Sequence, residues 1–448
     1  MKNIFFLLVF VFPFVFCKAQ SSQTAPPIVP KDSIRTVADT VVITLADAEA
    51  AFMKSNYNVL AQKYGVDAQK ALVRQAKLFN NPIVYYENSI YNQYSKKYFP
   101  TKEGTYGAPQ TQGEVLINAQ WLISIARKRV KAAQVAKLNA DVAQYQFDDL
   151  MRGLLFALRQ DFIDLYFGLK SLQLFDEEIA SVKNIVSGFE TQYQKGNVSL
   201  RAITRVRALL LSLQSDRFDI YTALQQNSAK EFAVLLNNPR NVFYKPVLDE
   251  TVYDTKYNAS AIALPDVVDQ ALQNRPDLKA SLAQVAAADA YVKLQKAVGI
   301  PDVQFQYTFD RNGSYIPNYS GVGIQVPIAI LNHNQGNIAS SKLLVSSAQE
   351  QLKQNQVTVQ NDVFSSYQKI LELQKLSSSQ TQSFVADFRS LMQGAGDNFA
   401  KKNLSLLDFV DMFESYKDYM TQSYSIKDQR YSAFEELNFN VGKDVFKK

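Results

Sequence analysis

A chain of 448 residues with only 14 prolines and 16 glycines has few helix breakers for its length, and no proline lies between Pro109 and Pro239 or after Pro327. Two long proline-free stretches exclude a β-sandwich or a loop-rich enzyme. With 47% hydrophobic and 20% charged residues the chain carries enough apolar surface to fold. The net charge of +6 is spread along the chain and gives no support to a nucleic-acid partner. The single cysteine, Cys17, and single histidine, His333, leave no intrachain disulfide, Cys/His metal cluster or multi-histidine relay. On this inventory an enzyme is disfavoured, and no catalytic residue, cofactor or metal ligand is assigned.

The chain opens with Lys2, an apolar run from Ile4 to Phe16, and Cys17-Lys18-Ala19. This pattern predicts a signal peptide over residues 1–19, cut before Gln20, because the run is shorter than the roughly 20 residues that span a bilayer. Phe16 is bulky where lipid attachment to Cys17 calls for a small residue. Residues 20–42, rich in Ser, Thr and Pro, read as a flexible leader. No later segment has the uncharged apolar length of a transmembrane helix, so a membrane crossing would need strands.

From there the chain is written twice. Ile43-Thr44-Leu45-Ala46-Asp47 and Ile262-Ala263-Leu264-Pro265-Asp266 lie 219 residues apart, and the same offset pairs Ala61 with Ala280, Val66 with Val285, Lys77 with Lys296 and Pro82 with Pro301. Further on, Lys195-Gly196-Asn197-Val198-Ser199-Leu200 matches Lys401-Lys402-Asn403-Leu404-Ser405-Leu406 at an offset of 206. The expected units are repeat 1 at 43–236, a connector at 237–261, repeat 2 at 262–443 and a tail at 444–448.

Each repeat has the same predicted order. In the first, a helix over Leu45–Phe79 stops at Asn80-Asn81-Pro82, and strands follow near Ile83–Tyr94 and Gly113–Ile123. In the second, the helix runs from Leu264 to Val298. There Val303, Phe305, Tyr307 and Phe309 alternate with Gln304, Gln306, Thr308 and Asp310, and Val322, Ile324, Val326 and Ile328 form a second alternating set. One face of each strand is oily and the other polar. A sheet packed on a soluble core would give the same alternation. Export, one hairpin per repeat, and aromatic residues near strand ends (Tyr85, Tyr86, Tyr91, Tyr94, Tyr98, Trp121, Tyr315, Tyr319) point instead to a barrel. Four strands cannot close one, and an open edge cannot stand in lipid, so several copies would pool their hairpins.

The long helical regions complete the pattern. From Leu158, apolar residues recur at Phe162, Leu165, Leu169, Leu172, Phe175, Ile179, Val182, Val186, Phe189 and Tyr193, a coiled-coil period. A helix over Val130–Tyr193 would be roughly 100 Å long, so such helices must pack along a rod or tube. Gly196-Asn197 and Lys402-Asn403 mark the points where they turn back.

The chain resembles the TolC-like outer-membrane efflux family. The resemblance covers nearly all of the mature chain and rests on Leu45-Ala46-Asp47-Ala48, on Ala271-Leu272-Gln273-Asn274-Arg275-Pro276-Asp277-Leu278, on Val326-Pro327-Ile328 running into Asn332-His333-Asn334-Gln335-Gly336-Asn337-Ile338, and on Asn403-Leu404-Ser405-Leu406-Leu407-Asp408-Phe409. The Asn-Gln-Gly-Asn stretch is most similar to the heavy-metal branch. The resemblance implies a mainly α fold with a transmembrane β-barrel, in which three chains pool four strands each into a 12-stranded barrel above a periplasmic helical tunnel. It implies an outer-membrane exit duct of a tripartite efflux system, working as a homotrimer with a periplasmic adaptor (membrane fusion) protein and an inner-membrane pump of RND type, surrounded by outer-membrane lipid. The alternatives are the exit duct of a type I protein secretion system and a soluble elongated periplasmic scaffold or adaptor.

Asp408 and Asp411 lie three apart on the helix leaving the second turn, so both project to nearly the same face. They match the positions where this family narrows its tunnel with aspartate rings, implying a periplasmic gate; a solvated helix face is the plain alternative. Gly196, Asn197, Ser199, Lys402, Asn403 and Ser405 form the hairpin tips, where the resemblance implies adaptor contact. Arg201, Arg205 and Arg207 flank the first tip as a basic face. His333 reads as a surface residue, since a zinc site needs three or four ligands.

Overall fold

A computed structural model describes residues 39–100, 113–238, 242–258, 262–311, 316, 318–378, 390 and 405–446. The predicted signal peptide, residues 20–38 of the leader, Tyr315 and the turn residues Lys402 and Asn403 lie outside this set. β1 (Asp39–Thr44) runs into α1 (Leu45–Ser55) through a capping box in which Thr44 accepts from the Asp47 N–H and the Asp47 carboxylate accepts from the Thr44 N–H. α2 (Tyr57–Gln75) follows, then β2 (Ile83–Asn88), the short pair β3 (Tyr91–Asn92) and β4 (Lys97–Tyr98), and β5 (Val115–Ile123). Helices α3 (Lys128–Gln194), α4 (Leu200–Gln226) and α5 (Ser228–Leu235) complete the first half.

β6 (Val242–Val247) and α6 (Glu250–Lys256) stand between the halves. The second half repeats the order: α7 (Leu264–Asn274), α8 (Pro276–Val298), β7 (Val303–Arg311), β8 (Tyr319–Gln325), α9 (Gln335–Ser378) and α10 (Leu406–Val441). No helix among the described residues is long and apolar enough to cross a membrane.

The expected first helix of each repeat is two helices, not one. The break falls at Asn56 in the first half and at Arg275 in the second, the same 219-residue offset. Asn56 ends α1 because its side-chain oxygen caps the Val59 N–H while its amide donates to the Leu235 carbonyl at 2.9 Å. At Arg275 the following Pro276 forbids helical backbone, and the residue adopts ψ 123°. Two other expectations are also revised. The last residues of the supposed flexible leader belong to β1, which pairs in parallel with β6 of the supposed connector, Asp39 opposite Val242 through Thr44 opposite Val247. The supposed tail packs inward: Phe446 is buried against Phe434 and Tyr257.

α3 has 67 residues, and at about 1.5 Å per residue it is roughly 100 Å long. It packs against α2, α4, α8 and α10. The expected stripe is its buried face: Leu158, Phe162, Leu165, Leu172, Phe175, Ile179, Val182 and Val186 are all buried. Phe162 and Phe232 are fully buried beside Phe52, each aromatic ring withdrawing enough apolar area to contribute about 1.5–3 kcal/mol. A second core gathers Val267, Ala271, Val363, Ile370, Phe434 and Leu437 from α7, α9 and α10. Two cations lock these layers together. Arg159 on α3 donates to Glu49 (2.7 Å), Glu435 (2.9 Å) and Asp444 (3.0 Å), while Arg275 donates to Asp277 (2.6 Å) and Asp362 (2.9 Å).

Candidate functional site: the sheet and the hairpin tip

The four long strands form one antiparallel sheet in the order β2-β5-β7-β8, with β2 and β8 as edges. Both hairpins therefore join across β5 and β7, and the register runs from Val115 opposite Arg311 to Ile123 opposite Val303. Because side chains alternate between faces, the register sorts them into rows. One face carries Val84-Ala119-Tyr307-Val322, Tyr86-Ile117-Phe309-Ser320 and Trp121-Phe305-Ile324. The other carries Tyr85-Asn118-Thr308-Gly321, Glu87-Leu116-Asp310-Tyr319 and Ile83-Gln120-Gln306-Gly323.

The first face is apolar and uncovered: Val322 is 90% exposed, Ile324 69% and Val84 67%. The second is bonded to itself through polar side chains. Asn118 donates to Thr308 at 2.8 Å, Gln304 to Gln120 at 2.8 Å and Gln306 to Thr308 at 3.1 Å. A soluble packed sheet would bury the first face, and among the described residues nothing covers it. Two tyrosines expected in an aromatic girdle are reassigned by the register, since Tyr85 and Tyr319 stand in polar rows.

At the far end of α3, Gly196 turns the chain with φ 74°, a conformation that favours glycine. The Gly196 N–H donates to the Tyr193 carbonyl (2.9 Å) and the Asn197 N–H to the Gln192 carbonyl (2.9 Å). Ser199 then caps α4 by accepting from the Ala202 N–H. Ser405 does the same for α10, accepting from the Asp408 N–H at 3.2 Å, so the two serines paired by the 206-residue offset hold the same structural place.

Residues 267–400 match the family model for outer membrane efflux protein. The chain is 19% identical over 434 residues, 96% of each sequence, to the cobalt-zinc-cadmium resistance protein CzcC of Cupriavidus metallidurans. Among solved structures it is similar to the Campylobacter jejuni outer membrane channel CmeC, at 14% identity with 89% of this chain and 86% of that one covered and a TM-score of 0.70. CusC, a transmembrane channel, aligns at 15% identity over 89% and 92% of the two chains with a TM-score of 0.69. The chain has the fold of the outer membrane channels, and its residues 267–400 carry the outer membrane efflux protein signature. The family matched by residues 267–400 is one of outer membrane channels and not an enzyme class.

The predicted gate residues sit together at the start of α10, both exposed. They differ in their bonding. The Asp408 carboxylate accepts from the Ser405 hydroxyl at 2.6 Å, closing the N-terminal cap of α10. Asp411, one turn on, has no hydrogen bond or ion pair among the described residues. Of the basic residues beside the first tip, Arg207 pairs with Glu190 at 2.6 Å, while Arg201 and Arg205 remain exposed. His333 is exposed near the start of α9, and its carbonyl oxygen would meet a Cβ on Gly299 at 2.4 Å, so only glycine fits there.

The sequence reading missed a seam of buried carboxyls where α3 faces α5 and α10. Asp164 and Asp428 face each other, and burial raises the carboxyls of both. Burial, reinforced by Asp164, raises the Asp428 carboxyl to about 7. Burial likewise raises Asp161 to about 7, with Glu231 and Asp164 adding to it. Burial lifts Glu178 to about 8 against the opposing pull of Lys417, with Glu177 and Asp418 helping, and neither of its carboxylate oxygens has a hydrogen-bond partner. Nearby, burial raises Glu250 as well, but hydrogen bonds from Lys170 and Lys427 outweigh it and bring this carboxyl down to about 2. The only sequence signal for the seam is acidic residues placed beside core positions: Asp161 next to Phe162, Glu178 next to Ile179.

Proposed function

We propose that this chain is the passive exit duct of a tripartite efflux system, and that its cargo is divalent metal ions. The observation that carries the duct is the sheet: an uncovered apolar face, a face of Gln, Asn and Thr, and two open edge strands. Unpaired edges in hydrocarbon would leave backbone groups unsatisfied, so three protomers closing β2 onto the neighbour's β8 make a 12-stranded barrel with a polar lumen. Each repeat, 43–236 and 262–443, contributes one hairpin and one long helical hairpin to this duct. The tips at Gly196, Asn197 and Ser199, and at Lys402, Asn403 and Ser405, meet the periplasmic adaptor, and an inner-membrane pump of RND type supplies the energy. Asp408 and Asp411 ring the tunnel entrance, where carboxylates favour cations. Of the two, Asp411 is the one with its carboxylate unengaged. Support for metal cargo comes from the resistance protein that matches along 96% of the chain.

The test is twofold. The mature chain extracted from membranes should run at three times its monomer mass in detergent and be absent from the aqueous periplasmic fraction; recovery there as a monomer or dimer would show the apolar rows to be buried in a soluble fold. Deleting the protein should then raise sensitivity to cobalt, zinc or cadmium. Unchanged metal sensitivity together with lost export of a protein substrate would move the duct to type I secretion.

A further inference from the structure

Where the sheet meets the helices, a cavity of about 560 Å³ opens between the end of α2, the start of α3 and α8, with Leu78, Phe79, Leu122, Arg127, Arg129 and Val130 in its wall. Its chemistry is that of neither the sheet nor the tunnel. Phe79 is 70% exposed and Val130 62%, so the wall offers apolar side chains that stay largely open. The Arg129 guanidinium lies 3.3 Å from the centre of the Phe79 ring, a cation–π contact that fixes the charge above the aromatic face. Asn80, also in the wall, accepts from the indole N–H of Trp121 at 3.0 Å, and Trp121 belongs to the uncovered apolar row of the sheet. The cavity is therefore continuous with that apolar face, at its periplasmic border.

The local charge is strongly unbalanced. Arg74 lies in the last turn of α2 and Lys77 just beyond it, while Arg127 leads into α3, whose first turn holds Lys128, Arg129 and Lys131. The carboxylate among them is Asp302, and it is engaged by Lys128 at 2.8 Å. Arg127 and Arg129 have no ion pair among the described residues. Ala126 and Arg127 hold φ of 56° and 55°, and no side chain caps α3, so the positive end of a 67-residue helix adds to the same field. Apolar wall, aromatic anchor and unpaired arginines at membrane-border depth match one class of ligand, a phosphate-bearing headgroup with acyl chains attached.

We propose that this cavity binds an anionic phospholipid of the inner leaflet of the outer membrane, with Arg127 and Arg129 at its phosphate and Phe79, Leu78 and Val130 against the first part of its acyl chains. The proposal rests on the reading that the sheet spans the membrane. The lipid fastens the uncapped start of α3 at the level where the barrel hands over to the tunnel, one site per protomer.

The experiment is native mass spectrometry of the delipidated trimer in detergent, titrated with phosphatidylglycerol, phosphatidylcholine or inorganic phosphate. The proteins are wild type, Arg127→Ser, Arg129→Ser, the charge-retaining Arg129→Lys, and Lys375→Ser on α9 as a charge-matched control. Phosphatidylglycerol should add up to one copy per protomer. Each arginine-to-serine change should weaken it about fivefold, the factor for one cation near an anionic surface, while Lys375→Ser changes nothing and Arg129→Lys falls between. Trimers whose arginine variants bind phosphatidylglycerol like wild type overturn the proposal alone. So does inorganic phosphate displacing the lipid at equal concentration, which would mark a soluble-anion site. A chain recovered only as an aqueous monomer overturns the membrane reading first, and the lipid site with it.

Discussion

The sheet and the helical body treat apolar side chains in opposite ways. In the body, Phe52, Phe162, Phe232 and Phe434 are fully buried, whereas in the sheet Val322 and Ile324 are 90% and 69% exposed. Both regions are equally regular, so the difference is not one of folding quality. It reports two solvents. The body removes its own apolar surface from water, and the sheet leaves its surface open, for lipid to cover in the duct proposed above.

The comparison can be broken most sharply in the body. Phe162→Ala leaves a void between α3 and α5 and should cost about 3–5 kcal/mol, read as a lowered thermal unfolding midpoint of the detergent-solubilised protein. The matching change in the sheet is Val322→Lys, placed on the apolar face in the middle of β8. A face that simply stays in water, as its exposure in the single protomer would have it, would tolerate the change. A lipid-facing position should lose about 2–4 kcal/mol, seen as loss of the trimer from the membrane fraction, so wild-type trimer yield from Val322→Lys would contradict the assignment of that face to lipid.

How much of this contrast could be read from the sequence follows from how local each signal is. The stripe from Leu158 to Val186 and the alternation from Val303 to Phe309 are periodicities within one element, and both stand in the structure as read. The β1–β6 pairing was missed because residues 39–44 and 242–247 meet only through the tertiary fold. The breaks at Asn56 and Arg275 were written in the chain, the second as Arg-Pro, but helical composition on both sides masked them. The buried carboxyls were illegible for a different reason. Asp164 looks like any exposed acid until α10 lays Asp428 against it, and no periodicity announces a partner so far along the chain.

That seam makes the body's stability depend on pH. Asp161, Asp428 and Glu178 have folded values raised to about 7, 7 and 8. Between the ordinary carboxyl range and those values the folded state holds more protons than the unfolded one, so stability falls as pH rises through this window. Glu250, lowered to about 2, acts in the opposite sense and loses its contribution below the ordinary range. The body should be most stable near the usual carboxyl values and weaken toward pH 8. Glu178→Gln keeps the shape of a buried carboxyl that has no hydrogen-bond partner and removes its titration. It should stabilise by about 1–3 kcal/mol at pH 8 and by little at pH 4.5, as measured by circular-dichroism melting at both values. An equal effect at the two pH values would show that Glu178 stays ionised.

The smallest expected effect lies at the two tips, which sharpen the comparison within the body itself. Ser199 and Ser405 occupy equivalent caps, yet only Ser405 also donates its hydroxyl to a carboxylate, that of Asp408. Loss of a serine cap costs about 0.5–2 kcal/mol. Ser199→Ala removes a neutral cap and should fall at the low end of that range, whereas Ser405→Ala also frees the Asp408 carboxylate and should fall at the high end. The same change separates structure from gating in bilayer conductance. If Asp408 acts mainly as a cap, Ser405→Ala and Asp408→Ala should alter melting alike and conductance little, leaving Asp411→Ala to raise conductance. If both aspartates ring the tunnel entrance, Asp408→Ala should raise conductance as Asp411→Ala does, while Ser405→Ala, which keeps both charges, should not.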